Sequence, residues 1–88
     1  MAQQTRPSRE TLLLAAGDRA VAGNWPSARA VAQEHEGEAV ADWLHAVVHR
    51  MEGDLANARY WYRRCGREPR EGVSTAQELG EIRAHLAG

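Results

Sequence analysis

Between Val40 and Met51 the apolar residues Val40, Leu44, Val47, Val48 and Met51 fall on one face of a helix, with Trp43 beside them. After a break at Gly53 and Asp54, the residues Leu55, Ala58, Tyr62 and Cys65 repeat that spacing. Two apolar stripes joined by so short a break predict a helical hairpin. A less regular pair precedes it: Leu12, Leu13 and Leu14 lead into Ala15, Ala16 and Ala20, and Trp25, Ala28, Val31 and Ala32 follow the next break. Small side chains there allow close approach of the two helices. Ala76, Leu79, Ile82, Ala84 and Leu86 mark a fifth helical stretch near the C-terminus.

The breaks are related to one another. Gly23, Asn24, Trp25, Pro26, Ser27, Ala28 and Arg29 recur as Gly53, Asp54, Leu55, Ala56, Asn57, Ala58 and Arg59, with both the Gly and the Ala 30 residues apart. Glycine enters the left-handed conformation that ends one helix, and Asn or Asp caps the next. The predicted helices are 9–22, capped by Ser8 after Pro7; 25–36, with Pro26 in its first turn and Gly37 as its stop; 38–52; and 55–65, stopped by Gly66. A connector over 66–73 holds Pro69 and Gly72. Ser74 and Thr75, with Gln77 and Glu78 three residues beyond each, offer alternative capping boxes for the last helix, 74–86. The expectation is a single all-α domain over 1–88. It consists of tandem antiparallel helix-turn-helix hairpins, 9–36 and 38–66, plus a C-terminal capping helix over the second.

These residues resemble the tetratricopeptide-repeat family, whose units are antiparallel helix pairs with Gly before the second helix and small or aromatic residues at fixed offsets within it. Gly53, Ala58 and Tyr62 match that pattern, Pro69 lies near the end of the unit, and Gly23 and Ala28 match in the first copy. The resemblance covers roughly residues 9–70. The period of 30 departs from the usual value of about 34, and His45 and Ala46 stand where the family favours Leu and Gly. The resemblance implies a helical-repeat scaffold for binding another protein.

Composition narrows the function classes. A chain of 88 residues with 43% hydrophobic and 26% charged residues is rich enough in apolar groups to fold as a small globular domain. Cys65, the one cysteine, cannot form an internal disulfide, no apolar run reaches the roughly 20 residues of a membrane span, and residues 1–9 lack the apolar stretch of a secretory signal. The expected setting is reducing and cytoplasmic, without a membrane. The net charge of −1 hides two blocks: Glu34, Glu36, Glu38, Asp42, Glu52 and Asp54 stand against Arg50 alone, whereas Arg59, Arg63, Arg64, Arg67 and Arg70 stand against Glu68. Adjacent blocks of opposite sign can neutralise each other.

Two clusters are candidates for function. On the third helix, Asp42, His45, His49 and Glu52 are spaced to project from the side opposite the apolar stripe. A His pair at i and i+4 is a usable geometry for a divalent metal and carboxylates can add ligands, although the ordinary reading of such a set is a solvated polar face. On the fourth helix, Tyr60, Trp61 and Tyr62 precede Arg63 and Arg64. With Tyr62 inward, Asn57, Trp61 and Arg64 share one face and Tyr60, Arg63 and Arg67 another; aromatic and Arg side chains together are common at binding hot spots. The bland alternative packs Trp61 on a neighbouring helix and pairs the arginines with Asp42, Glu52 or Asp54. The basic cluster is short and opposed by acids, so nucleic acid is not the expected partner. There is no phosphate loop, nucleophile elbow or Cys/His metal signature, so neither an enzyme nor a cofactor is implied. Cys65 reads as a small core residue.

The expected function is a protein–protein interaction module acting through Tyr60, Trp61, Arg63, Arg64 and Arg67. The alternative is a small-ligand or metal-binding protein, or a minor enzyme, using His45 and His49. The face around Leu12 to Leu14 and Val21 is an expected surface for self-association.

Overall fold

Ser8 accepts a hydrogen bond from the Thr11 backbone N–H and starts the first of five helices: α1 (Arg9–Val21), α2 (Trp25–Glu34), α3 (Ala39–Met51), α4 (Leu55–Arg64) and α5 (Thr75–Ala87). The structure is a computed structural model describing residues 8–88; the polar stretch 1–7, with Pro7, lies outside the described residues. Among the described residues there is no strand, so the fold is all-α, and no helix is long and apolar enough to cross a membrane.

The two related breaks are tight turns with left-handed glycines, Gly23 at φ 87° and Gly53 at φ 84°. That conformation costs other residues a Cβ clash. Only the second turn is capped by its polar residue: Asp54 accepts from the Asn57 N–H, whereas the Asn24 side chain makes no capping bond. Ser74 and Gln77, not Thr75 and Glu78, form the capping box of α5. Two helices end slightly early because His35 (φ −113°, ψ 25°) and Cys65 (φ −99°, ψ 9°) leave the helical region.

Each helix packs on the next from α1 to α4, and α3 is the central element. Every residue from Ala41 to His49 is buried. Ala16 and Ala20 of α1 and Ala28 and Ala32 of α2 have no exposed surface, which is how small side chains bring that pair together. Leu13, Leu44, Val47, Val48, Tyr62 and Ile82 supply the bulk of the core. Complete burial of each aliphatic side chain contributes about 1.5–3 kcal/mol.

The last helix meets both hairpins. It reaches beyond the second hairpin: α5 packs on α3 and, equally, on α1, and touches α4 through the Glu78–Tyr62 hydrogen bond. Leu79 and Ile82 enter the same apolar cluster as Leu13 and Leu44. The first and third helices present their apolar stripes side by side, and α5 spans both. The outer side of α4 is left open.

Candidate interaction face and the polar interior

Because α4 packs chiefly against α3, with Tyr62 reaching Glu78 of α5 on the inner side, its other side faces outward. Ala58 and Tyr62 point into the core, at 2% and 1% exposure. Leu55, predicted in that inward stripe, lies at its edge and is 53% exposed; Tyr60 is 46% exposed. Arg59 and Arg63 are also exposed and make no ion pair among the described residues. At 100° per residue, Leu55, Arg59, Arg63 and Tyr60 follow one another around the outer surface of the helix. They form a continuous apolar and cationic strip.

The other predicted contact residues are divided by the fold. Trp61 is half-buried and stacks on His45 of α3, with ring centroids 3.9 Å apart and planes at 15°. Arg64 lies over Trp61, its guanidinium carbon 5.1 Å from the ring centroid, and hydrogen-bonds the Tyr60 hydroxyl and Glu36, both at 3.1 Å. Arg67 does not share a face with Tyr60 and Arg63. It lies beyond the end of α4, where the chain has turned at Gly66, and its guanidinium sits 3.5 Å from the ring centroid of Trp43. Of the two charge blocks, Arg64 with Glu36 forms a link between them; Arg70 turns to Glu81 and Glu52 to Arg29.

Most of the predicted solvated face of α3 is interior, while Glu52, at the end of the helix, is exposed. Asp42, His45 and His49 are 2%, 1% and 9% exposed, because α2 and α4 close over that side of the helix. His45 lies between Trp61 and His49, whose ring is parallel to it at 4.9 Å. Burial, reinforced by the neighbouring His49 and Arg29, pushes the pKa of His45 down to about 4, so its ring is neutral near pH 7 and stacks as an aromatic. The Nδ1 atoms of both histidines are buried without a hydrogen-bond partner among the described residues.

The carboxylates are committed elsewhere: Asp42 accepts from the Gly37 N–H at 3.2 Å, capping the turn before α3, and Glu52 pairs with Arg29. The four residues therefore do not converge. Among the described residues no group of three or more His, Cys, Asp and Glu side chains is placed to hold a metal ion. Cys65 is half-buried, its thiol donates to the Tyr62 carbonyl at 3.3 Å, and burial raises its pKa.

A second polar cluster went unread in the sequence. Glu78, at 1% exposure, lies between α5, α3 and α4. It accepts from the Trp43 indole N–H at 3.0 Å, from the Tyr62 hydroxyl, and from Arg50 at 3.3 Å; Arg50 also bonds the Val73 carbonyl. Burial and the bond to Glu78 both raise the Tyr62 pKa, keeping the phenol protonated. A cleft lined by Trp43, Tyr62, Arg67, Glu68 and Arg70 opens beside this carboxylate, but both Glu78 oxygens are already taken by donors of the fold. The signal available was spacing: Glu78 stands four residues before Ile82, on the inward face of α5.

Comparison with known proteins finds no matching family model, no matching curated protein and no matching solved structure.

Proposed function

We propose that this chain is a small protein–protein interaction module whose docking helix is α4. The observation that carries the reading is the outward strip of α4, where exposed Leu55 and Tyr60 lie beside Arg59 and Arg63, two cations that pair with no acid among the described residues. Exposed apolar side chains favour a partner that covers them, and unpaired guanidiniums favour carboxylates on that partner. The partner is therefore an acidic segment with an apolar face. The tandem-hairpin resemblance of the sequence supports the same class of function.

Within the predicted contact set, Tyr60 and Arg63 are the residues offered to a partner. Trp61 and Arg64 support the strip from behind, with Arg64 holding the Tyr60 hydroxyl. The direct test is capture from native extract by the tagged full chain, with Tyr60→Ala/Arg63→Glu as control. Recovery of a protein by the wild type alone, with binding that weakens as salt rises, is the expected result. Identical recoveries by the two chains would remove α4 as the docking surface.

A further inference from the structure

We infer that the groove between α1 and α5 is the contact surface of a symmetric homodimer, formed on a side of the molecule separate from the α4 strip and independent of that reading. The groove encloses about 170 Å3 and is walled by Leu13, Leu14 and Val21 of α1 and Leu79, Ile82 and Leu86 of α5. Val21, at its edge, is 67% exposed, more than either Leu55 or Tyr60. An aliphatic side chain standing in water beside an apolar groove is the arrangement a covering partner removes.

The charge pattern selects a second copy as that partner. The rim carries Asp18 on α1 and Arg83 on α5, which meet across the groove in a surface ion pair. The helices run antiparallel, since Arg9 and Leu13 at the start of α1 line a cavity with His85 and Leu86 at the end of α5. A two-fold axis parallel to both helices lays α1 of each copy over α5 of the other. Asp18 of each then faces Arg83 of the other, and Val21 of each enters the other's groove. Such a self-complementary patch is what an isologous interface requires. The α4 strip has the opposite property, because pairing it with itself would bring arginines together.

Gly17 and Gly80 fit this arrangement. Both lie inside helices, where glycine costs about 1 kcal/mol relative to alanine, yet an added Cβ at either position would meet nothing within 4 Å. The packing of a single chain gives no reason for glycine there; a second backbone approaching the groove does.

Sedimentation of the full chain at roughly 100 μM, where a dissociation constant near 10 μM leaves mostly dimer, should give twice the 9.7 kDa chain mass. Val21→Glu, at an exposed position, should keep the wild-type helical circular dichroism and sediment as monomer. A monomeric wild type, or a dimer indifferent to Val21→Glu, overturns the inference. The geometry has a sharper test in charge reversal. Asp18→Arg and Arg83→Asp should each weaken self-association at least tenfold, and an equimolar mixture should form a one-to-one heterodimer by native mass spectrometry. The mixed pair restores opposite charges at both rim contacts, while each chain keeps its own internal like-charge clash. A mixture no more associated than the separate variants overturns the two-fold arrangement.

Discussion

Glu78 is held in the interior by donors from two other helices, Trp43 and Arg50 of α3 and Tyr62 of α4. Removing the carboxylate leaves a half-buried guanidinium and two buried donors without it, so the loss exceeds the value of any one bond. Glu78→Ala should cost about 3 kcal/mol and lower Tm by more than about 10 °C, read by thermal unfolding. His45 acts through the opposite sign of charge. Its folded pKa of about 4 lies below the ordinary 6.5, so the unfolded chain binds the proton first and stability falls as pH drops from 6.5 towards 4. The loss across that window is on the order of 3 kcal/mol, and above pH 7 His45 adds no pH dependence. Urea midpoints measured against pH should show this slope in the wild type and a smaller one in His45→Leu. Glu78 was legible in principle, as a charge at a core position of α5. The burial of Asp42, His45 and His49 was not, because periodicity gives the polar side of a helix and says nothing about whether α2 and α4 close over it.

At the scale of the helices, the turn chemistry was the most readable part of the chain. Gly23 and Gly53 take the left-handed backbone their positions implied, and Ser8, Asp54 and Ser74 cap the helices that follow them. These are local interactions within a few residues, and local sequence determines them. Ser74→Ala removes one half of the α5 capping box and should cost about 1 kcal/mol, seen as a lower urea midpoint with an unchanged slope. The seat of α5 was readable only in its half on the second hairpin, not in its half on α1. Leu79, Ile82 and Leu86 define its apolar face, but the non-helical connector after α4 lets that face meet either end of the hairpin array. The groove between α1 and α3 is selected by long-range contacts with Leu13, Trp43 and Arg50, outside any local window.

Across the whole molecule, the position of α5 decides which surfaces remain for partners. By filling the groove over α1 and α3 it buries Leu13 and leaves the outer strip of α4 uncovered, together with the narrower groove that ends at Val21. The two surfaces differ in charge balance: the strip carries arginines with no acid partner among the described residues, and the groove carries one charge of each sign. They accordingly call for different occupants, an acidic partner and a second copy. The most direct test of the docking assignment is hydroxyl-radical footprinting of the full chain with and without its captured partner, reading Leu55 and Tyr60 on α4 against Val21 on α1. Strong protection of Leu55 and Tyr60 by the partner, with no further change at Val21, is the predicted result. Equal reactivity of Leu55 and Tyr60 in the free and bound chain would contradict it.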